Sequence, residues 1–111
     1  MSANSNPAAP PIERISVDEM RQRFNRSGYW EKVKSGQWTA VVMRSNVSNA
    51  LPRETVEIMS FMLSYRDENG QEMARVHQYE RPDGSIAASG LPDPKRLFLD
   101  GTLYRLVRGD G

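Results

Sequence analysis

A chain of 111 residues suits one domain and is long enough to bury a core without covalent staples. Fifteen basic and 14 acidic residues leave a net charge of +1, which argues against a globally basic nucleic-acid binder and confines any such role to a local patch. The absence of cysteine excludes a disulfide scaffold, an iron–sulfur cluster and a thiol nucleophile.

The opening stretch "MSANSNPAAPPIER" has neither a basic n-region nor an apolar h-region, so it does not read as a secretory signal. No run of about 18 apolar residues exists to span a membrane. A cytoplasmic protein is the expectation. Residues 1 to 12 are rich in Pro, Ala, Ser and Asn and are expected to form a disordered tail. Order begins at "ISVDEMRQRFNRSG". Ser16 and Glu19 make a capping box, with Ile15 and Met20 at the staple positions. The spacing of Val17, Met20 and Phe24 predicts a helix from Val17 to Arg26 that stops near Gly28. A shorter helix follows over Tyr29 to Lys34 and ends at Gly36.

"QWTAVVMRS" reads as a strand, and "NVSNALPRET" as a loop. Two strand-like runs then flank "DENG", where Asn69-Gly70 is a tight-hairpin signal. "RPDGS" supplies a second turn, and "SIAAS" a short third strand. In "GLPDPKRLFLDG", Asp93 fits an N-cap, Pro94 the first helical position and Gly101 the stop. "TLYRLV" is the last strand. The order implies an α+β domain over residues 13 to 108, with residues 109 to 111 a flexible end. Two N-terminal helices would pack on an antiparallel sheet of about four to five strands, with a short helical turn before the last strand.

Strand alternation puts Arg75, His77, Tyr79 and Arg81 on one face of the second hairpin strand. A two-residue loop sets Leu63 opposite Val76 and Tyr65 opposite Ala74, which brings the apolar sides together and is preferred for that reason to a three-residue loop with a bulge, which would shift the pairing by one. It also sets Ser60 and Ser64 beside Tyr79 and Arg75, with Met62 opposite His77. Histidine titrates near neutrality and serves as a general acid or base. Arginines hold phosphate or carboxylate in fork geometry, and tyrosine stacks or donates a hydrogen bond. The plain alternative is a solvated strand face with one structural histidine. Lys95 and Arg96, next to the expected Asp93 cap, are further anion ligands. The Asp93 charge itself opposes an anion there. Arg21, Arg23, Arg26, Lys32 and Lys34 make the helical region locally basic, diluted by Asp18, Glu19 and Glu31. One histidine and no cysteine exclude a typical structural zinc site, and neither a metal nor a cofactor is expected.

The run "VHQYERPDGSIAASGLPDPKRLFLDGTLYRL" resembles small uncharacterised bacterial proteins, over roughly residues 60 to 107, and the resemblance carries no activity with it. In element order the chain is similar to the RelE-like ribonuclease toxins, which use basic residues, tyrosine and sometimes histidine on a sheet face. It departs from them in its near-neutral charge and in the extra helical turn. The expected function is a binding module for an anionic ligand or macromolecular partner, RNA or protein, through the polar hairpin face. Arg75, Tyr79, Arg81, Lys95 and Arg96 would bind. The alternatives are a metal-independent ribonuclease with His77 as its catalytic residue, and a protein-interaction module that pairs through a sheet edge.

Overall fold

The structure is a computed structural model, and it describes residues 9–48 and 57–109. Its elements follow in the order β1 (Ile12–Ile15), α1 (Val17–Ser27), α2 (Tyr29–Lys34), β2 (Thr39–Val47), β3 (Met59–Arg66), β4 (Glu72–Glu80), β5 (Asp93–Leu99) and β6 (Thr102–Leu106). Among the described residues these six strands form one sheet in the order β1-β6-β5-β4-β3-β2. Among the described residues no helix is long and apolar enough to cross a membrane.

The two helices form where capping chemistry places them. The Glu19 amide donates to the Ser16 hydroxyl at 3.1 Å, satisfying one of the orphan amides of the first turn. The Glu19 carboxylate engages Arg23 one turn on, at 2.6 Å. Gly28, at φ 76°, adopts the left-handed conformation that ends α1 and turns the chain into α2. Helical spacing gathers Met20 and Phe24 on one side of α1, and both are buried against the sheet. Phe24 meets the Tyr65 ring at 6.0 Å, and Ile15, Leu97, Val76 and Tyr104 belong to the same cluster. The Tyr29 ring lies 4.6 Å from Trp38. Its hydroxyl donates to the Phe98 carbonyl at 2.8 Å, tying α2 to β5. Both helices therefore cover one face of the sheet. Among the described residues no helix packs on the other.

Several expectations need correction. Among the described residues the sheet has six strands, not four to five, and it is mixed, because β1 runs parallel to β6. The segment read as a helical turn before the last strand is β5. Asp-Pro is a helix-start signal, but burial of Leu97 and Leu99 from one face of a strand outweighs it. Pro94 brings no amide to the ladder, and the β4–β5 register shifts beside it. "SIAAS" contributes a single bridge, Glu80 to Ile86, and not a strand. Ile12, placed in the expected tail, begins β1, while residues 1 to 8 of that tail lie outside the described residues. Asn46 and Val47, read as loop, end β2, and most of that loop also lies outside the described residues.

The β3–β4 hairpin keeps the expected pairing by an unexpected route. Leu63 faces Val76, Tyr65 faces Ala74, Ser64 faces Arg75 and Met62 faces His77. The loop is nevertheless three residues long. The Asp67 amide donates to the Gln71 carbonyl at 3.0 Å, and Gly70 alone in the loop has positive φ, 81°. That loop would shift the strands by one residue. A bulge between Tyr65 and Arg66, which leaves Met73 as the extra residue, shifts them back. At the next hairpin, Asp100 and Gly101 have φ of 50° and 80°, the geometry of a two-residue type I′ turn.

Phe24→Ala removes a fully enclosed ring that joins α1 to the sheet. Its unfolding free energy should fall by about 3–5 kcal/mol, measured by urea denaturation.

Candidate anion-binding sheet face

The face without helices carries a continuous basic row. Arg14 on β1 pairs with Arg105 on β6, Arg105 with Arg96 on β5, and Arg96 with Arg75 on β4. Four arginines thus stand on four adjacent strands at one level of the sheet. With strands about 4.8 Å apart, the row is roughly 14 Å long. Like charges directly opposite each other destabilise a sheet, so the row needs compensation. Glu72 supplies most of it, accepting from Arg75 at 3.0 and 3.2 Å and lying 3.8 Å from Arg96. Ser64, buried where the row ends on β3, donates to the same carboxylate and accepts from Arg66 at 3.2 Å. Arg14 donates to the Leu106 carbonyl at 3.0 Å. Among the described residues the Arg105 side chain has no ion-pair or hydrogen-bond partner.

These charges act on one another's protonation. Burial works against the Glu72 carboxylate, but hydrogen bonds from Ser64 and Arg75 and the charges of Arg75 and Arg96 outweigh it and hold its pKa below the ordinary value. Burial, then the charges of Arg75 and Arg105, lower the pKa of Arg96. The guanidinium stays charged throughout the accessible pH range.

Beside the row lies the histidine. His77 Nε2 is 2.7 Å from the Ser60 hydroxyl, and its ring meets Tyr79 edge-on at 4.7 Å. On the next strand Asp93 pairs with His77, and its carboxylate accepts from Arg21 of α1 at 3.2 Å and Lys95 at 3.1 Å. His77, Gln78, Tyr79 and Asp93 line an open cleft of about 360 Å³ together with Arg21 and Asn25 of α1, which reach it from the helix layer. Burial lowers the His77 pKa, and the positive charges of Lys95 and Arg44 lower it further against an opposing pull from Asp93. The ring is therefore neutral at pH 7.

Of the residues singled out from sequence, Arg75, His77 and Tyr79 share the open face. Lys95 and Arg96 join them from a strand, not from a helical turn. Arg81 lies just past β4 and braces the second turn, donating to the Ser85 hydroxyl and the Ile86 carbonyl at 3.2 Å each. Arg14, Arg44 and Arg105 were not singled out. Asp100-Gly101 held the signal for Arg105, because a two-residue turn there sets Leu99 against Thr102 and hence Arg96 against Arg105. Among the described residues no group of three or more His, Asp or Glu could hold a metal ion.

His77 is the only histidine, and no other side chain has an ordinary pKa between pH 5 and 8. Its folded-state pKa lies below its unfolded value, so near pH 6 the unfolded chain binds the proton more readily. Stability should hold above pH 7 and decline as pH falls through about 6.5 toward the lower folded value. Thermal midpoints across pH 5–8 should show this decline, and His77→Gln should flatten it.

No protein-family model matches the chain, and neither a curated protein nor a solved structure matches it.

Proposed function

We propose that the chain is a binding module for a phosphate-bearing polyanion, engaged by the open face of the sheet. The supporting observation is the row Arg14–Arg105–Arg96–Arg75, which one carboxylate compensates only in part. Two guanidiniums suffice for a single phosphate or carboxylate. Four in line across roughly 14 Å match a ligand with repeated charges. Arg44 pairs with Met62 and Met62 with His77, and Lys95 lines a shallow pocket with Arg14 and Arg105, so both add positive charge on the same side. The acidic residues Asp18, Glu31, Asp67, Glu68, Asp83 and Asp100 belong to helices and turns, so a net charge of +1 coexists with a basic face.

Arg105→Ala is the cleanest probe, since no internal partner loses its counter-charge. Affinity for inorganic polyphosphate, measured by isothermal titration, should drop about tenfold, the worth of one charge-assisted contact. The slope of log affinity against log salt should become shallower by about one. Unchanged affinity and slope would overturn the reading.

A second reading, a metal-independent ribonuclease, is favoured by the cleft that His77 and Tyr79 line beside Arg21. A neutral imidazole is competent to accept a proton from a 2′-hydroxyl, and a guanidinium to stabilise the phosphorane charge. The wild-type protein should then cleave unstructured RNA in the presence of a chelator, and His77→Ala should abolish cleavage while keeping its circular dichroism spectrum. Equal cleavage by the variant removes the reading.

A further inference from the structure

Flat rings flank the arginine row on both sides. Phe98 is two residues beyond Arg96 on β5, on the same face, and half-buried. On β4, His77 and Tyr79 occupy the same face on the other side of Arg75 and are also half-buried. None of these rings sits in the buried core cluster beneath the helices. From this arrangement we infer that the polyanion is a single-stranded nucleic acid, its backbone running along the arginine row and across the strands, its bases stacking on Phe98 to one side and on Tyr79 and His77 to the other. The inference rests on the polyanion reading and specifies its ligand.

Three physical points favour a single strand over other phosphate polymers. Half-buried rings add nothing for inorganic polyphosphate, whereas every unpaired base offers a π-face to stack. A duplex keeps its bases stacked inside. In an RNA duplex the major groove is too deep and narrow for side chains to enter and the shallow minor groove exposes only base edges, so the rings would meet no base face. An open sheet with basic and aromatic side chains on one face also lets successive bases splay outward, a geometry that suits unpaired strands. Stacking of this kind tolerates any base, in keeping with a face whose polar groups are mostly guanidinium donors.

The test is fluorescence anisotropy with a 12-nucleotide oligouridylate, a 12-base-pair RNA duplex of random sequence, and inorganic polyphosphate of 12 units as competitor. The single strand should bind at least about tenfold more tightly than either of the others, as stacking of one or two bases provides. Phe98→Ala and Tyr79→Ala should each weaken the single strand about tenfold and leave polyphosphate binding unchanged. Both side chains are partly exposed, and circular dichroism will confirm that at least one variant folds. Arg105→Ala should weaken all three ligands. Equal binding of single strand and polyphosphate, with no effect of the ring substitutions, overturns the inference and leaves the anion-binding face standing. Tighter binding of the duplex overturns it as well. Failure of every ligand to bind removes both readings.

Discussion

Four guanidiniums on neighbouring strands repel one another, and the sheet holds them side by side because Glu72 sits among them. This carboxylate receives the Ser64 hydroxyl, bonds Arg75 twice and faces Arg96. It reaches the row only because β4 bulges at Met73, so that Glu72 pairs with Arg66 beyond the bulge. A small irregularity of backbone thus sets an electrostatic condition for the whole face. Cross-strand pairs of like charge are worth a few tenths to 1 kcal/mol against a sheet, and one well-bonded counter-ion offsets that scale of penalty.

The sheet tolerates the remaining strain because its two faces divide the work. Phe24, Met20, Tyr65, Leu97 and Val76 bury one face under the helices, and hydrophobic burial there supplies the favourable free energy of folding. The opposite face is left to carry charge. Asp93 joins the two sides, since it accepts from Arg21 on the helix layer and from Lys95 on the basic face. Exposed pairs of this kind contribute little stability but fix where the charges stand.

Legibility in the sequence followed the strength of the local signal. Ser16, Gly28 and the Met20–Phe24 spacing specify α1 with little competition, and the helix stands within a residue of its expected bounds. The β3–β4 pairing was legible from the apolar sides of Leu63, Tyr65, Ala74 and Val76, because burial fixes register even where the turn was misread. β5 was not legible from Asp93-Pro94, since that dipeptide opens helices and interrupted strands alike. Asp100-Gly101 would have resolved it as a hairpin turn. Of the basic face, the sequence points to Arg75 on a strand and to Arg96 on what reads as a helical turn. The row itself is a property of pairing between β1, β6, β5 and β4, and four-residue β1 has too little pattern of its own to announce a parallel partner.

The hairpin between β3 and β4 has a parity. Its three-residue loop and its bulge each displace the strands by one position, and together they cancel. Because side chains alternate with period two, losing either one alone would send Arg75, His77 and Tyr79 into the core and bring Ala74 and Val76 out to solvent. Insertions and deletions in this hairpin are therefore compatible with the fold only in compensating pairs. Drift in loop length, ordinarily the freest change open to a surface turn, is here tied to which chemistry the protein shows to the outside.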